Sequence, residues 1–118
     1  RFPLWAGAAG KCLLAFADKG LVEEQLAKAR PITPSTILDR ETFMEELLRI
    51  RDAEEAISYG EREEGVISIA IPIFSARNQV DYTLSLAAPA SRLGEKTLGE
   101  VLTRTKEAAR TISRQLYN

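Results

Sequence analysis

The stretch Val66-Ile-Ser-Ile-Ala-Ile-Pro-Ile-Phe74 decides the fold. Its odd positions are Ile67, Ile69, Ile71 and Ile73; its even positions are Val66, Ser68, Ala70, Pro72 and Phe74. Successive side chains of a strand point to opposite faces, so this alternation predicts a β-strand with one greasy side. Isoleucine, branched at Cβ, suits the pleat. The partner strand runs from Val80 to Ala88, with Val80, Tyr82, Leu84 and Leu86 on one face and Asp81, Thr83, Ser85 and Ala87 on the other. Directly opposed residues share a face, and slipping by one residue would turn the core side outward. Matching faces predicts Ile67 opposite Leu86, Ile69 opposite Leu84, Ile73 opposite Val80, and Ser68 opposite Ser85. Ser75-Ala-Arg-Asn78 then forms a four-residue loop, with Asn78 suited to positive φ.

Upstream, Ala56-Ile-Ser-Tyr59 reads as a short strand and Gly60-Glu-Arg-Glu-Glu-Gly65 as a polar turn. A helix is expected from about Ala8 to Asp18 with Gly20 as its stop, and a second from Leu21 to Ala29, before Pro31. A third begins at Asp39, a residue able to cap free amides, where Leu38 and Phe43 can pack as a staple. Phe43, Leu47 and Ile50 make its inner stripe, with Met44 and Leu48 alongside. The last helix is announced by the capping box Thr97-Leu-Gly-Glu100 and carries Leu98, Val101, Leu102, Ala109, Ile112 and Leu116 inward. Lys106, Arg110 and Arg114 line up outside as a solvated row; no aromatic residues interleave them as a nucleic-acid surface would need. The elements add up to one α+β domain over residues 1–118, an antiparallel sheet with helices packed on it.

The even face of the strand raises a question, because Val66, Ala70, Pro72 and Phe74 are poor choices for contact with water. It makes better sense as the floor of a shallow cavity. The roof would be the helix start in Trp5-Ala-Gly-Ala-Ala-Gly-Lys-Cys12, which superficially resembles a phosphate loop. A phosphate loop needs a glycine five residues before Gly-Lys and a hydroxyl after it, whereas Trp5 and Cys12 stand there. The glycines instead let backbone amides at the positive end of the helix approach an anion. With hydroxyls from Ser68 and Ser85, the arrangement describes a binding site for a small organic anion.

Nothing points to chemistry on that anion. The chain holds no histidine, which removes imidazole acid–base catalysis, Ser-His and Cys-His nucleophile pairs and the usual zinc sites. Glu23-Glu24, Glu45-Glu46, Glu54-Glu55 and Glu63-Glu64 are adjacent acids that do not share a helix face. Cys12 precedes two leucines and reads as buried filler. No cofactor or metal site is expected. A net charge of −1 argues against a polyanion-binding chain. One cysteine allows no intrachain disulfide and fits a reducing cytoplasm. No apolar run approaches the roughly 18 residues of a membrane helix, and no signal peptide is visible. A cytoplasmic protein without membrane association is the expectation. The start at Arg-Phe-Pro, without Met, reads as a piece of something longer.

Three blocks resemble the effector-binding region of IclR-type transcriptional regulators. They are Pro3-Leu4, Ala6, Gly10-Lys11 and Leu14-Ala15; Gly60-Glu61, Gly65-Val66, Ser68-Ile69-Ala70, Pro72 and Phe74; and Leu84-Ser85-Leu86, Pro89 and Arg92-Leu93. The resemblance covers nearly all of the chain in the family's order. It implies a GAF-like domain, N-terminally truncated here, whose sheet carries a pocket for small organic or aromatic acids. It also implies a separate winged helix-turn-helix, absent from this chain, as the only DNA contact, and assembly into dimers or tetramers. Effector contacts carried over from the family fall on the backbone near Ala8 and on Ser58, Ser68 and Ser85. Three positions depart: Trp5 stands where the family usually has His, Ser58 where it often has Asp, and Ala87 where it often has Ser. The less polar pocket favours a larger, more apolar acid over a two- or three-carbon keto acid, and Trp5 could wall such a ligand or anchor the core. A ligand-free dimerisation module, and an enzyme using Lys11 or Cys12, are the competing readings. With family strands missing upstream, the sheet should expose an edge that recruits a second chain.

Overall fold

A computed structural model describes residues 4–117. Four α-helices and three strands follow one another: α1 (Ala8–Ala15), α2 (Lys19–Lys28), α3 (Arg40–Ala53), β1 (Ala56–Tyr59), β2 (Val66–Phe74), β3 (Val80–Pro89) and α4 (Glu95–Tyr117), with a 3₁₀ turn at Ala90–Arg92 before α4. The strands form an antiparallel sheet in the order β1-β2-β3. The expected α+β architecture is therefore present.

Alternation along β2 sorts the core into two layers. Ile67 and Ile69 pack with Leu98, Val101 and Leu102 of α4, and Ile71 and Ile73 pack with Ala109 and Ile112. On the opposite face, Ala56 and Ala70 join a cluster of Cys12 and Leu14 from α1 with Phe43, Leu47 and Ile50 from α3. Burying side chains of this size stabilises by about 1.5–3 kcal/mol each. Pro72 is tolerated in the middle strand because β1 reaches only as far as Ala70 along β2.

The hairpin register differs from the expectation by two residues. Ile69 opposes Leu86, Ser68 opposes Ala87, Ser85 opposes Ala70, and Ile73 opposes Tyr82. Face matching fixes register only modulo two, so both solutions bury the same isoleucines. The choice between them is made at the turn. The loop spans Ser75 to Gln79, closed by the Ser75 amide donating to the Gln79 carbonyl at 2.8 Å, with Asn78 at φ 57°. A bulge between Ile73 and Phe74 then pairs Phe74 with Val80 and leaves Asp81 as the extra residue.

Helix ends move for local reasons. Gly20 does not stop the first helix; it lies in the first turn of α2, because Asp18 caps that helix through the Leu21 amide at 2.9 Å. Asp39 caps α3 as expected, through the Thr42 amide at 2.9 Å. Leu38 stays 42% exposed while Phe43 is buried, so the staple contributes only one of its two residues to the core. The α4 helix starts two residues before Thr97, its first turn closed by the Leu98 amide on the Gly94 carbonyl at 2.8 Å. Lys106 is not a purely solvated residue: it donates to the Ala53 carbonyl at 3.1 Å and pairs with Glu55 at 2.7 Å, tying α4 to the α3–β1 junction. Among the described residues no helix is long and apolar enough to cross a membrane.

Candidate functional site

A cavity of about 490 Å³ lies between the small-residue face of the sheet and the start of α1. Ala8, Ser58, Ser68, Ser85 and Ala87 all line it, so four separate elements bring five of the six sequence-predicted site residues together. Ser58 and Ser68 are direct cross-strand neighbours, and Ala87 continues the row on the far side of Ser68. The serine expected beside Ser68 is thus Ser58, while Ser85 sits one row along, opposite Ala70.

Trp5 is elsewhere. Its ring is 8% exposed, within the α1–α3 core, and its Nε1 donates to the Arg30 carbonyl at 3.0 Å. It is an anchor for the chain before α1 and does not line the cavity.

The small residues that resembled a phosphate loop each have a distinct task. Gly7 caps α1 at φ 90°, a conformation open to glycine. The Ala8 amide points to Ser68 Oγ at 3.4 Å, setting the helix tip over the middle strand. A Cβ on Gly10 would sit 2.6 Å from the Leu4 carbonyl oxygen, so glycine there admits the incoming backbone. Lys11 binds no phosphate; it is fully buried and donates to Glu46 at 2.6 Å, Glu61 at 2.7 Å and the Ile57 carbonyl at 3.0 Å.

That ammonium group stakes down the turn between Gly60 and Gly65. Thr36 Oγ1 donates to the Glu61 carbonyl at 2.6 Å, and Thr33 Oγ1 donates to the carbonyls of Gly60 at 2.5 Å and Glu61 at 3.2 Å. The Glu61 amide donates in turn to Ser58 Oγ at 3.4 Å. Burial pushes the Glu61 carboxyl above the ordinary glutamate range against the pull of Lys11, and Glu61 Oε1 has no hydrogen-bond partner among the described residues. Glu46 is also pushed up by burial, but Lys11 and Arg49 together hold it below the usual range. Burial drives the Cys12 thiol up to about 12, which keeps it a thiol at neutral pH. A spent ammonium and a buried thiol give the enzyme reading no nucleophile from Lys11 or Cys12.

Sequence reasoning missed Arg62 and Glu63, which bring opposite charges to the cavity from the turn. The signal was there in the turn's length: Gly60 and Gly65 at φ 74° and 77° bend it back over β1 and β2. Leu4, Leu13, Val66 and Leu86 supply the apolar part of the lining.

The family model described as bacterial transcriptional regulator IclR C-terminal matches residues 1–114. The DNA-binding transcriptional repressor YiaJ of Escherichia coli is 35% identical over 97% of this chain and 42% of its own length. The fold is similar to that of a transcriptional regulator from Alicyclobacillus acidocaldarius, with a TM-score of 0.89 at 30% identity, over 96% of this chain and 46% of that one. It is also similar to the inducer binding domain of the PobR transcription factor from Acinetobacter, a double mutant in complex with 3-hydroxybenzoic acid. There the TM-score is 0.87 at 31% identity, over 96% of this chain and 66% of that one. The chain spans under half the length of the curated relatives it matches most strongly.

Proposed function

Because the chain belongs to the IclR C-terminal family, the effector-binding domains of bacterial transcriptional regulators, we propose that its cavity receives a small organic or aromatic acid as the regulatory signal. The observation that carries this reading is convergence. Ala8 from α1, Ser58 from β1, Ser68 from β2, and Ser85 and Ala87 from β3 meet around one space, although 79 residues separate the first from the last. A cavity of about 490 Å³ falls within the few hundred to a thousand Å³ usual for ligand pockets, which suits an acid of aromatic size better than a two-carbon keto acid. Trp5 drops out of the ligand contacts. The complex of the similar PobR domain with 3-hydroxybenzoic acid supports the same size class.

In this reading the domain senses and does not transform its ligand. Binding would bias DNA contacts made by a winged helix-turn-helix elsewhere in a cytoplasmic regulator that works as a dimer or tetramer. Exposed Tyr82 and Leu86 on the edge strand β3 also favour a role in self-association, which light scattering on the intact protein tests. The decisive experiment for the sensor reading is native mass spectrometry of the intact protein as purified from cells, followed by titration of the released acid. An organic acid bound one per cavity is expected. A cavity that takes up no acid, with self-association intact, would instead support the interaction module.

A further inference from the structure

We propose that Arg62 is the specificity-determining residue of this cavity: it pairs with the ligand carboxylate and restricts the site to monoanionic acids with an apolar body. The proposal rests on the cavity being the effector site.

The geometry begins at Gly7. A Cβ built there would lie 3.4 Å from Arg62 Cδ and 3.7 Å from its Cβ, so the arginine stem runs against the tip of α1. At that tip the first intrahelical bond is made by the Lys11 amide to the Gly7 carbonyl at 3.2 Å. The amides of Ala8, Ala9 and Gly10 precede it and have no carbonyl of their own helix to meet. All three residues line the cavity, as does Arg62. The positive end of a helix and a guanidinium therefore share one rim, where a carboxylate can take paired N–H donors from the arginine and further donors from the backbone.

The turn that carries Arg62 is fixed before any ligand arrives. Its neighbour Glu61 is held through the carboxylate by Lys11, through the carbonyl by Thr33 and Thr36, and through the amide by Ser58. Pre-placing the arginine backbone lowers the ordering cost of binding. Glu63 on the same turn gives the rim a negative charge that a second ligand carboxylate would meet. Leu4, Leu13, Val66 and Leu86 leave the remainder of the ligand an apolar surface.

The test uses calorimetric titration of the intact protein with benzoate, 3-hydroxybenzoate, phenylacetate and hexanoate, each beside its primary amide. Wild type should prefer at least one acid to its amide, with an affinity for the acid that falls as NaCl is raised. Arg62→Gln should lose that acid by about fivefold, the scale of a partly exposed charge pair, bind the amide unchanged, and lose most of the salt dependence. Arg62 is exposed, so the variant should melt like wild type. Glu63→Gln should bind the acid as well as wild type or better. Retention of the acid preference in Arg62→Gln, or equal losses in both variants, would overturn the role of Arg62 and leave the cavity as effector site. Failure of wild type to bind any of the eight compounds would overturn the effector-site reading itself.

Discussion

The two faces of the sheet are built from the same strand and obey opposite rules. The α4 face carries Ile67, Ile69, Ile71 and Ile73, all at most 8% exposed, packed against the α4 stripe. The α1 face offers Ser68 and Ala70 at the equivalent height, flanked by Ser58, Ala56, Ser85 and Ala87. Large side chains fill the space beneath a helix, while small ones leave it open. One face holds the domain together, and the other trades packing for a cavity that a ligand can fill. Mutations on the two faces should therefore separate stability from binding.

The largest effect should come from the group that joins the two functions. Lys11 neutralises Glu46 and Glu61 inside the protein, and Lys11→Met would leave both carboxylates buried without their cation. Removing one partner of a buried ion pair costs about 3–5 kcal/mol. We expect Lys11→Met to unfold at clearly lower urea concentration, or to fail to accumulate folded. Lys11→Met with Glu61→Gln should recover part of the loss, since one stranded charge is gone. A single variant as stable as wild type would show that the triad does not hold the turn.

Next in size is the pair that sets one face against the other. Ile69→Ala removes a side chain 1% exposed beneath Leu98 and Val101, and should cost about 2–4 kcal/mol of stability while leaving ligand affinity nearly unchanged. Ser68→Ala should do the reverse. Its one intramolecular hydrogen bond is the long 3.4 Å contact from the Ala8 amide, so stability should move by less than about 0.5 kcal/mol. Affinity for the acid should fall by about 1 kcal/mol as a sheltered donor is lost. Urea melts and calorimetric titrations on both proteins give the four numbers. A Ser68→Ala protein that binds normally would remove the serine row from the site.

The same contrast marks what the sequence made legible. The isoleucine alternation specified the strand and both of its faces, because period two is a property of β2 alone. Asp39 and the Phe43, Leu47 and Ile50 stripe specified α3 for the same reason. Register was not legible beyond its parity, since the bulge at Ile73/Phe74 depends on how the loop from Ser75 to Gln79 closes. The candidate site was legible where the family resemblance supplied positions, at Ala8, Ser58, Ser68, Ser85 and Ala87. It was wrong at Trp5, whose ring could go to either side of the chain until a partner for its N–H was known. Lys11 and Arg62 were opaque because their roles depend on Glu46, Thr33, Thr36 and Gly7, residues far apart in sequence that only the fold assembles.

The smallest expected effect is a slope. Glu61 titrates above the ordinary glutamate range because burial penalises its charged form more than Lys11 favours it. In the window between the unfolded value and the raised folded value, the native state binds more protons than the unfolded one. Its contribution to stability is thus fully present below the unfolded value and is lost as pH rises through the folded one. Glu46, held low by Lys11 and Arg49, acts oppositely: its contribution is present above the unfolded value and is lost as pH falls through the folded one. The two partly cancel in wild type, which is why the net slope should be shallow. Glu61→Gln removes the first term and leaves the second. Stability measured by urea titration at a series of pH values from the glutamate range to neutrality should therefore rise more steeply with pH in Glu61→Gln than in wild type. Parallel curves would mean that Glu61 carries the same proton load folded and unfolded, and that the turn beside the cavity is not held by a strained charge.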